Sequence, residues 1–219
     1  ATGPGHGIQL SSGRLLVPCD HKTKNATKEN PQWYFSHVIY SDDHGSTWNL
    51  GGTTEGKTNE CQALEKQDGS VYLSIRSYGD KNCRAYGRSS DGGLTWSKVE
   101  LDEALIAPKC QASIARFTDS KRHGKNRVLF SSPAGTERAN LTVRLSYDEC
   151  RTWAFSRTLN PGKSAYSELA VTADMTICCL YERGVKDVYE RITFARFGLE
   201  WLTQGKDRLE IDAMRAKRE

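Results

Sequence analysis

The 219-residue sequence has no apolar run of the length a membrane-spanning helix needs, so no such helix is expected within it. It also has almost no helical periodicity. Apolar residues do not recur at three- and four-residue spacing over any long stretch, which argues against a helix bundle. No charge of one sign dominates: 31 Lys and Arg face 27 Asp and Glu, a formal net charge of +4. There is no basic run with interleaved aromatics, so nucleic acid is not an expected partner, although a small excess of base suits an acidic ligand. No C-x-x-C pair occurs among the seven cysteines, which argues against a zinc site. Cys19, Cys61, Cys83, Cys110, Cys150, Cys178 and Cys179 are odd in number and irregularly spaced. They read as buried thiols, with one or two disulfides in an oxidising compartment as the alternative. The sequence opens at Ala1 without an initiator Met or a charged-then-apolar leader, a start expected of an interior cut or a processed end.

What is present is a series of short alternating runs bounded by Gly, Asp, Asn and Ser. Residues 13–18, 35–41, 70–77, 84–90, 127–132, 140–146, 176–182 and 191–197 read as strands. Asp68-Gly69 and Asp91-Gly92 supply turns between them. Many short strands with turn signals in between mean a sandwich, a barrel or a propeller. A repeat narrows the choice. "SDDHGSTW" at 41–48 returns as "SSDGGLTW" at 89–96 and, altered, as "SYDECRTW" at 146–153. The aspartates Asp43, Asp91 and Asp148 lie 48 and 57 residues apart. A four-stranded propeller blade takes about 40–50 residues, so each copy is expected to mark one blade at the same corner. In S-x-D-x-G-x-T-W the carboxylate can accept backbone N–H groups of its own turn. The glycine supplies a conformation closed to other residues, and the tryptophan seals the turn while its indole N–H seeks a partner. Cys150 stands where the third copy should have glycine, so strain or a different turn is expected there. These boxes read as architecture rather than as metal or ligand sites. Residues 204–219 are densely charged and read as a tail, a short surface helix or disordered, following a body of residues 1–203.

The S-x-D-x-G-x-T-W repeat resembles the Asp box of the sialidases, and further segments resemble that family in order along almost the whole chain. "TGPGHGIQLSSGRLLVP" (2–18) resembles its early-blade opening, and "NECQALEKQDGSVYLSIRS" (59–77) its Glu-then-Arg segment. "NLTVRLSYDECRTW" (140–153), "SAYSELA" (164–170), "CLYERG" (179–184) and "ITFARFGLEWL" (192–202) resemble later blades. The resemblance implies an all-β, six-bladed propeller of which about four blades are here. It implies a retaining exo-sialidase that removes terminal sialic acid from glycoproteins, glycolipids and oligosaccharides. Tyr166 would be the nucleophile and Glu60 the base that takes its proton. Arg76 and Arg144 would be two of three arginines gripping the sugar carboxylate, and Glu182 would orient the remaining arginine. No cofactor or metal is implied, because carboxylate, phenol and arginines suffice.

The residue types suit that chemistry. Sialic acid carries a carboxylate on its anomeric carbon, and an Asp or Glu nucleophile would be repelled by it; sialidases are the tyrosine exception among glycosidases. Arginine's planar fork makes paired, charge-assisted hydrogen bonds to a carboxylate. The same residues also have ordinary readings: Tyr166 as a core aromatic, Arg76 in a structural ion pair, Arg144 partnered by Asp148 or Glu149, Glu60 as a loop acid, Glu182 paired with Arg183. The sequence departs from the family in having no Arg-Ile-Pro segment and no acid/base Asp after it; Asp20 and Asp80 read as loop residues. The isolated chain is therefore expected to hydrolyse sialosides poorly, since a general acid contributes about 10²–10⁴-fold. Two alternatives stand beside hydrolysis: a non-catalytic Asp-box propeller that binds glycans or partners, and a trans-sialidase whose acceptor site would use aromatics such as Trp33, Tyr34 or Tyr78. Gathering of Glu60, Tyr166, Arg76 and Arg144 at one pocket would favour the enzyme. Localisation is open, with an exported or lysosomal setting favoured by the substrate class.

Overall fold

The computed structural model describes residues 1–209 and is all-β. Its fourteen strands are β1 (Ile8–Gln9), β2 (Leu15–Lys22), β3 (Tyr34–Ser41), β4 (Asn49–Thr53), β5 (Thr58–Glu65), β6 (Val71–Ser77), β7 (Cys83–Ser89), β8 (Glu100–Ile106), β9 (Ser113–Thr118), β10 (Arg127–Pro133), β11 (Ala139–Ser146), β12 (Phe155–Val171), β13 (Ile177–Gly184) and β14 (Arg191–Phe197). Two short helices, α1 (Ser120–His123) and α2 (Leu199–Thr203), complete it. The strands form three antiparallel sheets in simple sequence order, β1–β4, β5–β8 and β9–β14. All eight strands expected from alternation are present, within a few residues of their expected bounds. No helix among the described residues is long and apolar enough to cross a membrane.

The chain divides into two compact units. The first comprises Ala1–Ser113 with Ala134–Glu137, and the second Ile114–Pro133 with the chain from Arg138 onward. Each has its own core. In the first, Leu16, Val38, Val71, Leu73 and Ile75 are fully buried on alternate strand positions. In the second, Leu129, Leu141, Val143, Leu145, Ile177 and Cys179 do the same work. All seven cysteines are free and buried, as small apolar side chains rather than as disulfides.

The Asp boxes are turn-builders, as expected. Asp43 Oδ1 accepts the Thr47 amide at 2.8 Å and its Oδ2 accepts the Thr47 hydroxyl at 2.6 Å. Asp91 and Asp148 repeat both bonds with Thr95 and Thr152. The leading serine closes each turn, Ser41, Ser89 and Ser146 accepting the amides of Gly45, Gly93 and Cys150 at 2.8, 2.8 and 3.0 Å. Cys150 keeps the turn of the other copies: its φ of 69° lies in the same left-handed region as Gly45 (88°) and Gly93 (89°). The Trp96 indole N–H finds its partner in the preceding sheet, donating from Nε1 to the Gly52 carbonyl of β4 at 3.0 Å. The Gly52 amide answers with a 2.8 Å bond to the Gly93 carbonyl. Trp48, the counterpart in the first copy, is 44% exposed.

The sheet of the second unit turns on β12. Its first half pairs with β11 from Phe155 to Lys163, and its second half pairs with β13 from Lys163 to Val171. Between them Pro161 and Gly162 sit in a bend that Asn160 spans, its Nδ2 donating to the carbonyls of Gly162 and Lys163 at 3.2 Å each. One strand thus serves two successive ladders. Part of the segment expected to be tail belongs to the fold: Asp207 is buried and paired with Arg127. Residues 210–219 of that expectation lie outside the described residues.

Candidate functional site

Two β-bulges, one in each unit, hold most of the residues singled out from the sequence. In the first unit Thr58 pairs with Ser77 and Cys61 with Ile75, so Asn59 and Glu60 of β5 stand opposite Arg76 of β6 alone. A bulge breaks the regular alternation and re-aims the side chains it carries, which is why bulges recur beside functional sites. Here it brings Glu60 to Arg76, with Nη1 donating to Oε2 at 2.7 Å and only 12% and 13% of the two side chains exposed. An Arg turned inward on an apolar strand needs such a partner.

Around this pair lies a polar and aromatic surround. The Arg76 guanidinium stands 5.2 Å from the ring centroid of Tyr78, and Tyr78 packs against Tyr34 with centroids 5.1 Å apart. Lys109 faces the same Tyr78 ring at 6.0 Å. Asp20, expected in a loop, lies instead in β2, where the Asn59 amide donates to its Oδ2 at 3.0 Å. Burial raises the Asp20 pKa, and the neighbouring Glu60 charge adds to the rise. Trp33, in a short 3-10 turn at Pro31–Trp33, is 39% exposed.

In the second unit Ser164 pairs with Arg183 and Ser167 with Tyr181, so Ala165 and Tyr166 of β12 stand opposite Glu182 of β13 alone. The extra backbone N–H that this bulge creates is that of Tyr166, and the Glu182 carboxylate accepts it at 3.0 Å. Glu182 therefore acts on the backbone of Tyr166; it is not paired in place of that bond with its neighbour Arg183, whose Nε donates to Thr193 Oγ1 at 2.8 Å. Ala165 is fully buried beneath the bulge while Tyr166 is partly exposed.

Arg144 of β11 stands opposite Phe130 of β10 and Ser156 of β12. The next residue of β10, Ser131, shares a 2.7 Å hydrogen bond with the hydroxyl of Ser167, the neighbour of Tyr166, because β12 folds back past β10 after its bend. Arg144 Nη1 donates to Ser132 Oγ at 3.4 Å. Glu149, one of its expected partners, instead makes a two-pronged bond with Arg116 at 2.6 and 2.8 Å. Arg138, just before β11, faces Tyr166, its guanidinium carbon 5.5 Å from the tyrosine ring centroid. The Arg138 carbonyl accepts the Ser164 amide at 2.9 Å, which fixes the two segments to each other two residues from Tyr166. Sequence reasoning passed over Arg138 because "GTERAN" looks like a polar loop. The available signal was an arginine at the edge of a strand whose far end closes on a box.

A cation over a phenol ring stabilises it by about 0.5–2 kcal/mol, and more once the ring oxygen carries charge. The second unit thus presents a phenol whose backbone is pinned by a carboxylate and whose ring is faced by a guanidinium. The first presents a carboxylate and a guanidinium already paired. Each arrangement suits an anionic ligand or a developing anion.

The BNR repeat-like domain family matches residues 1–179. Among curated proteins, the sialidase of Micromonospora viridifaciens is 35% identical over 207 residues, covering 90% of this chain and 30% of that protein. Among solved structures, the Hadza microbial sialidase Hz136 superposes with a TM-score of 0.77 at 29% identity, covering 92% of this chain and 38% of that one. A leech intramolecular trans-sialidase, complexed with 2,7-anhydro-Neu5Ac, superposes at 0.72 with 27% identity, covering 93% and 32%. The chain spans a third or so of the length of these three relatives.

Proposed function

The chain belongs to the BNR-repeat family of sialidases, and on that premise we propose that it carries the nucleophile and two of the carboxylate-binding arginines of a retaining exo-sialidase. Its substrates are sialylated glycans: glycoproteins, glycolipids and oligosaccharides ending in sialic acid. Its three sheets form about four blades of a six-bladed propeller. Tyr166 attacks the anomeric carbon, Glu60 takes the phenol proton, and the bond to the leaving oxygen breaks as the tyrosyl–sugar bond forms. Water then releases the sugar from Tyr166 with net retention. Arg76 and Arg144 grip the sugar carboxylate, and Arg138 faces the Tyr166 ring. Glu182 holds the bulge that presents Tyr166.

The observation that carries this reading is the guanidinium of Arg138 facing a tyrosine whose amide is bound by Glu182. A buried tyrosine in a regular strand would have neither. The test uses a substrate whose leaving group needs no proton. A 2,3-difluorinated sialic acid loses fluoride from its anomeric carbon without a general acid, and its second fluorine slows release of the covalent sugar. Incubation should leave one sugar on the peptide containing Tyr166, read by mass spectrometry, and Tyr166→Phe should abolish the adduct. No adduct on the wild-type chain, or one on another residue, would overturn the assignment and favour a binding module. An aryl sialoside should turn over slowly at most. The likeness to the leech enzyme supports a second reading, transfer within the substrate, and NMR of the sugar released by the active protein separates 2,7-anhydro product from free sialic acid.

A further inference from the structure

The turn joining β13 to β14 is built more firmly than an exposed hairpin requires. The Glu190 carboxylate accepts the amides of Val185, Lys186 and Asp187 at 2.9, 2.6 and 2.9 Å. Asp187 Oδ1 accepts the Tyr189 amide at 2.9 Å. Lys163, on β12, donates from Nζ to the Lys186 carbonyl at 2.7 Å. Gly184 lets the turn close, because a Cβ there would lie 1.7 Å from the Asp187 carbonyl oxygen. All of this fixes one side chain. Tyr189 is 60% exposed, a poor place for an aromatic that serves only packing, and its hydroxyl accepts a hydrogen bond from Nη1 of Arg138.

Arg138 is therefore held by the Tyr189 hydroxyl as well as by contact with the Tyr166 ring. We infer that Tyr189 is a positioning residue, whose hydroxyl sets the Arg138 guanidinium over Tyr166 ready for a carboxylate-bearing ligand. The inference rests on the functional reading above and adds a residue to it. A free arginine side chain loses rotamer freedom when it binds an anion, and a guanidinium already fixed loses less. The phenol can also accept from Arg138 with a lone pair while turning its own proton toward the ligand. A phenylalanine keeps the ring and the turn but loses both functions.

The test compares the wild-type chain with Tyr189→Phe and with Glu190→Gln, which leaves the hydroxyl in place and loosens the turn that carries it. Two readouts are needed. The first is the ¹⁵N heteronuclear NOE of the Arg138 Nε–H, which reports whether that side chain is ordered without any ligand. It should be high in the wild type and should fall in both variants, with the melting temperature of Tyr189→Phe unchanged. The second is calorimetric titration with free sialic acid, where Tyr189→Phe should weaken binding about three- to tenfold, the worth of one hydrogen bond. An Arg138 signal as ordered in Tyr189→Phe as in the wild type would overturn the positioning role, and so would unchanged sialic acid affinity. A wild-type chain that ignores sialic acid but whose Arg138 loses order in Tyr189→Phe would instead overturn the choice of ligand and leave the positioning role standing.

Discussion

At the scale of single residues, the box aspartates explain both the repeat and an expected acid sensitivity. Asp43 is held down to a pKa of about 2, first by the Thr47 hydroxyl, then by the Thr47 amide and Ser41. For Asp91 burial works the other way, yet the bonds from Thr95 and Ser89 outweigh it and leave the pKa also at about 2. In an unfolded chain these carboxyls titrate near the ordinary value of about 3.9. A carboxyl with a depressed folded pKa adds stability that is complete above its unfolded pKa and lost as the pH falls through the folded one. The chain should therefore lose stability steeply between about pH 4 and pH 2, measured as urea midpoints across that range. Asp91→Asn should be less stable than the wild type at pH 7 and should converge on it near pH 2. A gap of equal size at both pH values would mean that the carboxylate charge does not hold the turn. Cys150 makes a related point: the serine and aspartate bonds of the third box impose a left-handed backbone even where glycine is missing.

At the scale of elements, the contact that the repeat builds is a seam between successive sheets, and glycine makes it possible. A Cβ on Gly52 would lie 2.7 Å from the Leu94 carbonyl oxygen and 2.8 Å from the Trp96 indole, and one on Gly51 would lie 2.6 Å from Val38. Gly52→Ala should push the second box off β4, break the Trp96 bond and cost about 1–3 kcal/mol in denaturant unfolding. A loss below about 0.5 kcal/mol would show that the seam adapts. The seam also bears on what could be read in advance. Strands such as β6, "VYLSIRS", were legible because apolar residues alternate on one face. β5 was not, because "TNECQALE" buries Thr58, Asn59 and Gln62 as fully as its apolar residues and carries a bulge. β12 was hidden by Pro161 and Gly162, which normally end a strand but here mark the bend at which it passes from one ladder to the next. Glu60, Arg76, Tyr166 and Glu182 could be picked by motif, but not the bonds between them, since a bulge cancels the parity that predicts which way a side chain points. Arg138, which also faces Tyr166, carried no such motif.

At the scale of the whole molecule, the second unit is tied to the segment after α2 by a buried charge. Arg127 donates to Asp207 through Nε at 2.8 Å and Nη2 at 2.7 Å, and the Tyr147 hydroxyl donates to the same carboxylate at 2.6 Å. Only 5% and 7% of the two charged side chains are exposed. Lys125 stands 3.5 Å from Asp207 and 3.8 Å over the Tyr147 ring, closing the network at its outer side. Burial opposes the Asp207 charge, but Arg127 and Tyr147 overcome it and bring its pKa down to about 2; burial first, and then the same contact, raise that of Tyr147. Such a pair adds little relative to an apolar pair of the same shape, because both charges lose their water. Breaking one side is different, since it strands the other charge in the interior. Asp207→Asn should thus cost about 3–5 kcal/mol in denaturant unfolding, as should truncation after residue 203. Replacing both partners, Arg127→Met with Asp207→Leu, should restore most of the loss. A double variant as unstable as the single one would mean that the bonds to Tyr147 and Lys125, rather than the stranded arginine, set the cost.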